Sequence, residues 1–455
     1  MHPLTAGRIL SKRHVSRSWY FHSFRNLFTD KRGWTISTSS TCWCSYKDVN
    51  RGSGGISTCF VGRSKSKFSP ITVNRRLSTT GTISLSGKNA ADIKTISGGI
   101  ELRTDNDLLT LPFIWLRDHC RCQICYNYKT NQKKVENLDC DLSIEPRSVE
   151  YDGVQLSLIW PDDHKTTFET DWLLSHVFHS GYKKKVPFFL WNKDVMTANP
   201  PPRIGYEDHM NTSMALKRSI FNILKFGYTI VTQVPLTIED TREVIEKVSP
   251  VSRTLFGEMW SFTSDEARGD TAYTNIALGA HTDASYYNIP AGIQVFHCLE
   301  HDGSGGETLL LDGFNAAERL QKIDPAAFDI LTRTVIPHEY IEPGHNFHSL
   351  GTVLTQHPTT GEMLNIRFNP YDRAPLYTVP PDKVQEFYRA YQALSTEIKN
   401  KDNEFWIKLE PGMVLFIDNW RVLHGRAAFT GKRVITGCYL SRDDLMSTAR
   451  VLQIL

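Results

Sequence analysis

Two short stretches carry residue types that can hold a metal ion. In Ala280-His281-Thr282-Asp283-Ala284, His281 and Asp283 are two residues apart. That spacing puts both side chains on one face of an extended strand, close enough to share one ion. The second stretch runs from Phe416 to Arg426, and its His424 follows the apolar run Val414-Leu415-Phe416-Ile417, which reads as a buried strand. Two imidazoles and one carboxylate on a β scaffold form a facial triad of the kind that suits Fe(II) and leaves positions open for a co-substrate and O₂. A bare H-x-D is also common among satisfied polar strand residues, so its surroundings decide between the two readings.

A separate set lies in Asp118-His119-Cys120-Arg121-Cys122-Gln123-Ile124-Cys125. Cys120, Cys122 and Cys125 could place three thiolates around one ion. His164, after the Trp160-Pro161 turn, could be the fourth ligand, with His119 as the competing imidazole. Cys₃His is a closed tetrahedral zinc set, which leaves no position for chemistry and makes the site structural. The plain alternative is three free thiols in a loop. Cys140, Cys298 and Cys438 are scattered and read as reduced thiols.

The elements that must position these groups are mostly strands. Residues 95–185 read as a small β-rich amino-terminal domain with strands at Ile100–Arg103, Pro112–Leu116 and Val154–Trp160, separated by turns such as Asp152-Gly153. From 200 to 455 the pattern changes. Glu207–Gly227 reads as a helix, Tyr228–Pro235 as a strand, and Thr237 opens another helix. Ile293–Leu299 alternates as a strand, Asp312–Leu320 opens a helix, and Asn365–Asn369 is a further strand. Val384–Lys399 is an amphipathic helix, and Glu410-Pro411-Gly412 turns into the strand that delivers His424. The fold expected is mainly β with flanking helices: a double-stranded β-helix (jelly-roll) catalytic domain with ligands on its inner face, plus the small amino-terminal domain.

Four stretches then carry a resemblance: Gly257-x-Met259-Trp260-x-Phe262-Thr263-Ser264-Asp265, Arg268–Thr274, His281-Thr282-Asp283 and Asp418–Arg426. Together they resemble the γ-butyrobetaine/trimethyllysine hydroxylase family of Fe(II)/2-oxoglutarate oxygenases, over essentially everything from residue 95 onward. The resemblance implies hydroxylation of the β-carbon of ε-N-trimethyllysine, the first step of carnitine biosynthesis, with iron on His281, Asp283 and His424. It implies that 2-oxoglutarate chelates the iron and that Arg433 pairs with its far carboxylate, for which a planar guanidinium fork is well shaped. Thr308 would add a hydroxyl to that carboxylate. The substrate's quaternary ammonium donates no hydrogen bonds and is best held by aromatic faces with a negative group nearby. Trp260, Tyr273 and Tyr439 match cage positions of the butyrobetaine enzymes, Phe256 could be a fourth wall, and Asp270 would add charge. Asn369, Arg367 and Asp372 are weaker candidates for the substrate's amino-acid end. Ascorbate dependence and a homodimer come from the resemblance alone. Three features depart from the pattern: the Cys₃His set looks like that of the butyrobetaine enzymes, position 256 is Phe where Tyr is expected in both relatives, and the basic head is longer than expected.

Charge is segregated along the chain. Residues 1–80 hold 14 Lys and Arg against two acids, leaving 38 basic and 47 acidic residues after them, a net of −9. This head is rich in Ser, Thr and Arg, and Leu10–Phe28 mixes Arg17 and Arg25 with six apolar or aromatic residues among Trp19, Tyr20, Phe21, Phe24, Leu27 and Phe28. That composition reads as a mitochondrial presequence, with a processing neighbourhood near Arg75-Arg76 and a soluble matrix enzyme behind it. A basic arm for nucleic acid is the alternative, and nothing downstream resembles a nucleic-acid module. No run approaches the roughly 18 consecutive apolar residues needed to span a membrane. Three other activities compete: γ-butyrobetaine hydroxylation, a zinc hydrolase built on the same triad, which lacks an evident catalytic base, and a catalytically silent metal-binding protein.

Overall fold

A computed structural model of the chain describes residues 92–103, 108–136, 139–176, 186–263 and 274–455. The basic head, together with Asp270 and Tyr273, lies outside the described residues.

The amino-terminal region contains two three-stranded antiparallel sheets. One comprises Asp92–Ile96, Gly99–Arg103 and Leu108–Pro112; the other comprises Ser148–Tyr151, Gln155–Ile159 and Lys165–Glu169. Alternate residues face inward, so Ile100, Leu102, Leu109 and Leu111 of the first meet Leu156, Leu158 and Phe168 of the second in one apolar cluster. The strand expected at 112–116 is a correction: the strand stops at Pro112, and Phe113–Asp118 is helical. Phe113 and Leu116 are the buried residues there, and their spacing of three matches one helix face and not an alternating strand.

Beyond the amino-terminal region, the described strands form two main sheets and two two-stranded hairpins, Val335–Glu342 with His345–Thr352 and Leu354–Gln356 with Met363–Ile366. The larger runs in the order Val251–Ser252, Arg433–Leu440, Ile293–His301, Val414–Asp418, Tyr228–Thr232, Ile204–Gly205, and Trp260–Phe262 also pairs with Arg433–Leu440. The smaller runs Leu278–His281, Val422–Arg426, Thr308–Asp312, Phe405–Ile407. The two-residue period of a strand decides what each side chain meets. Along Val414–Asp418, Leu415 and Ile417 join Leu310 and Val422 of the smaller sheet in a core between the sheets, while Val414 and Phe416 face outward. There they pack with Ile220, Ile223, Val244 and Leu445 from the helices Ser213–Phe226, Ile238–Glu246 and Arg442–Val451. On the smaller sheet, Leu311 and Leu423 face outward into a third cluster with the helices Gly313–Ile323, Pro325–Arg333 and Val384–Ile398. Each such Leu, Ile or Phe contributes roughly 1.5–3 kcal/mol on burial. This is the jelly-roll arrangement with helices covering the outer faces.

The long helix expected over 207–227 is two helices, Tyr206–Asn211 and Ser213–Phe226. Thr212 between them is extended, and its hydroxyl accepts the Ala215 N–H at 3.2 Å, so it caps the second helix instead of continuing the first. The single strand expected to run from Glu410-Pro411-Gly412 to His424 is a correction. Val414–Asp418 belongs to the larger sheet and His424 to a separate strand, Val422–Arg426, of the smaller one, because the chain turns between them at a fully buried pair. Arg421 donates to both oxygens of Asp312 at 3.0 and 2.8 Å and to the Phe189 and Lys225 carbonyls at 2.7 and 2.8 Å. Each of the three guanidinium nitrogens has an acceptor; removing one partner of such a pair costs about 3–5 kcal/mol.

Candidate active site

His281 ends one strand of the smaller sheet and lies directly across from His424 on its neighbour, so both rings project into the space between the sheets. Their centroids are 4.7 Å apart. Beyond His281 the chain bends at Ala284, whose φ of +56° is the left-handed region that alanine rarely adopts. Asn419 holds that bend from both sides, accepting the Asp283 N–H at 2.8 Å and donating to the Asp283 carbonyl at 3.0 Å. The bend turns the Asp283 carboxylate back toward the imidazoles: Oδ1 lies 3.3 Å from His281 Nε2, and Oδ2 lies 3.6 Å from His424 Nε2. One donor atom from each of the three lies within 4.8 Å of the others.

Protonation suits a metal. The Gly279 carbonyl accepts a hydrogen bond from His281 Nδ1 at 2.8 Å, so Nε2 is the nitrogen that faces Asp283 and would meet an ion. Burial pushes the Asp283 carboxyl upward, but His424 and His281 outweigh it and hold it far below the usual carboxylate range. Burial lowers His424, and the Asp283 charge only partly offsets this. His281 is also lowered by burial, but Asp283 outweighs this and raises it.

The same cavity holds two of the groups expected to meet a dicarboxylate. Arg433 is 7% exposed and lines the cavity, and burial lowers its guanidinium pKa. It lies over the Phe429 ring at 5.5 Å, and no carboxylate among the described residues pairs with it. Thr308, buried, lines the same space from the smaller sheet. Charges are rarely buried without a partner. A cavity lined by a cation of this kind calls for an anionic ligand.

Aromatic rings form another wall. Trp260, Phe256 and Tyr439 all line the cavity, with Tyr439 6.1 Å from Trp260 and 6.3 Å from Phe256. Several companions carry no local signal in the sequence. Tyr340 lies 6.0 Å from Phe256, and Tyr286 lies 4.9 Å from Tyr340. Tyr340 belongs to the hairpin strand Val335–Glu342, and only the packing of that hairpin brings it here. Phe296 and Gln294 were legible in principle, being alternate inward residues of Ile293–His301, and Phe296 packs 5.4 Å from His424. Phe262 stacks 5.2 Å from Trp260.

Asn369 reaches the cavity edge, but its side chain is engaged within the fold. It donates to the Thr282 carbonyl at 3.2 Å and to Asp372 at 2.7 Å, and accepts the Tyr371 N–H at 2.9 Å. Arg367 is directed elsewhere, to the Tyr287 and Asn288 carbonyls. Asp372 lines the cavity.

Away from this site, the Sγ atoms of Cys120, Cys122 and Cys125 lie 3.2, 3.5 and 3.5 Å from His164 Nε2. The Cys125 N–H to Cys122 carbonyl bond, 3.1 Å, closes the turn that gathers two of the thiols. Burial and the neighbouring thiols push Cys125 up to about 12 and burial raises Cys120, whereas at Cys122 hydrogen bonds outweigh burial and lower the thiol. His119 does not join it; that ring stacks on Trp115 at 4.4 Å and bonds the Trp115 carbonyl at 2.8 Å. Sequence spacing had left this choice of imidazole open.

Comparison with known proteins agrees with these two regions. Residues 194–439 match the family described as taurine catabolism dioxygenase TauD, TfdA, and residues 99–174 match a γ-butyrobetaine hydroxylase-like amino-terminal family. The chain is 46% identical over 359 residues to the mitochondrial trimethyllysine dioxygenase of Gallus gallus, covering 78% of this chain and 86% of that one. It is 45% identical over 358 residues to the same enzyme of Homo sapiens, covering 77% and 85%. The γ-butyrobetaine dioxygenase of Homo sapiens is 28% identical over 367 residues, covering 77% and 92%. With a His-Asp-His cluster at its centre, both imidazoles on strands, the chain belongs to the TauD, TfdA family of dioxygenases and, within it, to the trimethyllysine dioxygenases.

Proposed function

We propose that this protein hydroxylates the β-carbon of ε-N-trimethyllysine, using Fe(II) and 2-oxoglutarate. The observation that carries the reading is one cavity lined by two imidazoles and a carboxylate, a buried guanidinium with no carboxylate on it, and a wall of aromatic rings. Both cofactors fit the donors present. His281, Asp283 and His424 would hold iron, a nitrogen-and-oxygen set suited to a non-haem ferrous ion. Arg433 and Thr308 would take the far carboxylate of 2-oxoglutarate. Together, when bound, they supply the O₂ activation that places a hydroxyl on an unactivated carbon.

The chain's own part is position. Trp260, Tyr439 and Phe256 offer ring faces to a quaternary ammonium, and Tyr273 and Asp270 complete that cage on the resemblance. Anchoring the trimethylammonium at one end fixes which carbon of the side chain faces the metal, since held geometry replaces a bimolecular encounter. Asn419 and the Gly279 carbonyl keep Asp283 and His281 aimed, so little rearrangement is needed on loading.

Four further assignments belong to the same reading. Cys120, Cys122, Cys125 and His164 hold a structural zinc that ties the helix Phe113–Asp118 to the sheet beside it. Residues 95–185 form a distinct amino-terminal domain, and residues 200–455 the catalytic one. The basic head directs the protein to the mitochondrial matrix, and the enzyme works as a homodimer supported by ascorbate. Among the described residues, no helix is long and apolar enough to cross a membrane.

The deciding experiment offers trimethyllysine and γ-butyrobetaine together to the protein with Fe(II), 2-oxoglutarate and ascorbate, and reads products by mass. One added oxygen on trimethyllysine, matched by succinate, is expected. Oxygen on butyrobetaine alone would overturn the substrate and keep the chemistry, and no product on either would sink the reading. His281→Ala should abolish turnover together with iron content.

A further inference from the structure

We infer that Tyr439 is a positioning residue for the metal as well as a wall of the cavity, so that one side chain joins the aromatic face to the Asp283 carboxylate. The inference rests on the proposed reading of His281, Asp283 and His424 as metal ligands. Tyr439 lies on Arg433–Leu440 in the larger sheet, and Asp283 follows the Leu278–His281 strand of the smaller one. The Tyr439 hydroxyl donates to Asp283 Oδ2 at 3.0 Å, spanning the space between the sheets. Its ring meanwhile packs with Trp260 and Phe256.

The two carboxylate oxygens stand in different surroundings. Oδ1 lies 3.3 Å from His281 Nε2, and Oδ2, 3.6 Å from His424 Nε2, carries the phenol bond. A carboxylate with one oxygen committed to a donor has its rotation about the Cβ–Cγ bond fixed, and presents the other oxygen in a single direction. Asn419 holds the backbone of Asp283, and Tyr439 holds its end. Partners of this kind orient metal ligands, and losing one weakens metal binding about 10- to 100-fold. The second consequence is linkage. A cation stacked on the Tyr439 ring touches the same residue that aims the carboxylate, so filling the cavity and holding the metal reinforce each other.

The test is a titration of the full chain with Mn(II), free zinc having been removed so that it does not compete at the triad, following the loss of the free-ion electron paramagnetic resonance signal. Mn(II) prefers oxygen and imidazole ligands and has little affinity for the thiol cluster. Tyr439→Phe keeps the ring and removes the hydroxyl. Its Mn(II) dissociation constant should rise at least about tenfold, while KM for trimethyllysine changes less than about threefold because the ring face remains. Trp260→Phe keeps the Tyr439 hydroxyl and should leave the Mn(II) constant unchanged while raising KM. A Tyr439→Phe protein that binds Mn(II) as tightly as the wild type overturns the inference alone. So does a Trp260→Phe protein that loosens Mn(II) equally, since the effect would then be general slackening of the cavity. A wild type that takes up no Mn(II) overturns the metal-site reading itself.

Discussion

Arg433→Met tests the co-substrate assignment most directly. The guanidinium is 7% exposed, its pKa is lowered by burial, and no carboxylate among the described residues pairs with it. A planar fork can give a carboxylate two charge-assisted hydrogen bonds, each worth about 1.5–3 kcal/mol. Losing both costs about 3–5 kcal/mol, and each 1.4 kcal/mol is roughly tenfold in a dissociation constant. KM for 2-oxoglutarate should therefore rise by roughly a hundred- to a few thousandfold, with KM for trimethyllysine nearly unchanged. Arg433→Lys keeps the charge but not the fork, and should fall between the two. Stability gives an independent check. In the free protein the buried cation has desolvation to bear and no counter-charge, so Arg433→Met should melt no lower than the wild type. Added 2-oxoglutarate should raise the wild-type melting temperature and leave that of the variant in place. A variant whose KM values for both substrates rise together, or whose 2-oxoglutarate constant does not move, would refute the reasoning.

Cys122→Ser, or a strong chelator, should release zinc measurable by elemental analysis and lower the melting temperature, because binding at a closed site adds to folding free energy. Gly437→Ala should destabilise the protein by about 1–3 kcal/mol and shift tryptophan fluorescence: an added Cβ would lie 2.0 Å from the Val295 carbonyl and 2.5 Å from the Trp260 ring. A weakened KM for trimethyllysine should accompany it. Buried His297, whose Nδ1 lies 2.7 Å from the Thr241 hydroxyl, is lowered by burial to about 4. The unfolded chain, with its imidazole near pH 6.5, binds the proton first, so stability is fully present above pH 6.5 and falls as pH drops toward 4, by about 2–3 kcal/mol. His297→Asn should flatten that acid limb in denaturant titrations.

The likeness to the dioxygenases and the identity of the metal-type residues were legible because they depend on short-range pattern. His281 and Asp283 are two residues apart, His424 ends an apolar run, and the Cys₃ spacing lies within six residues. Alternation alone assigned Ile293–Leu299, which lies within the strand Ile293–His301, and the apolar run marked Val414–Ile417 within Val414–Asp418. Misreadings came where one residue redirects the chain. Pro112 ends a strand that its apolar neighbours seemed to extend, and Thr212 caps a helix within a continuous apolar period.

Five features were decided only by the tertiary structure. The cross-strand register puts His281 opposite His424, 143 positions apart in sequence. Asn419 stabilises the positive φ at Ala284 that turns Asp283 back to meet them. Packing brings Tyr340 and Tyr286 to the aromatic wall, diverts Asn369 into hydrogen bonds within the fold, and selects His164 over His119 at the thiols. The physical reason is common to all of these. Local spacing fixes which face a side chain takes on its own element, whereas the partner it meets depends on how separate elements pack and pair.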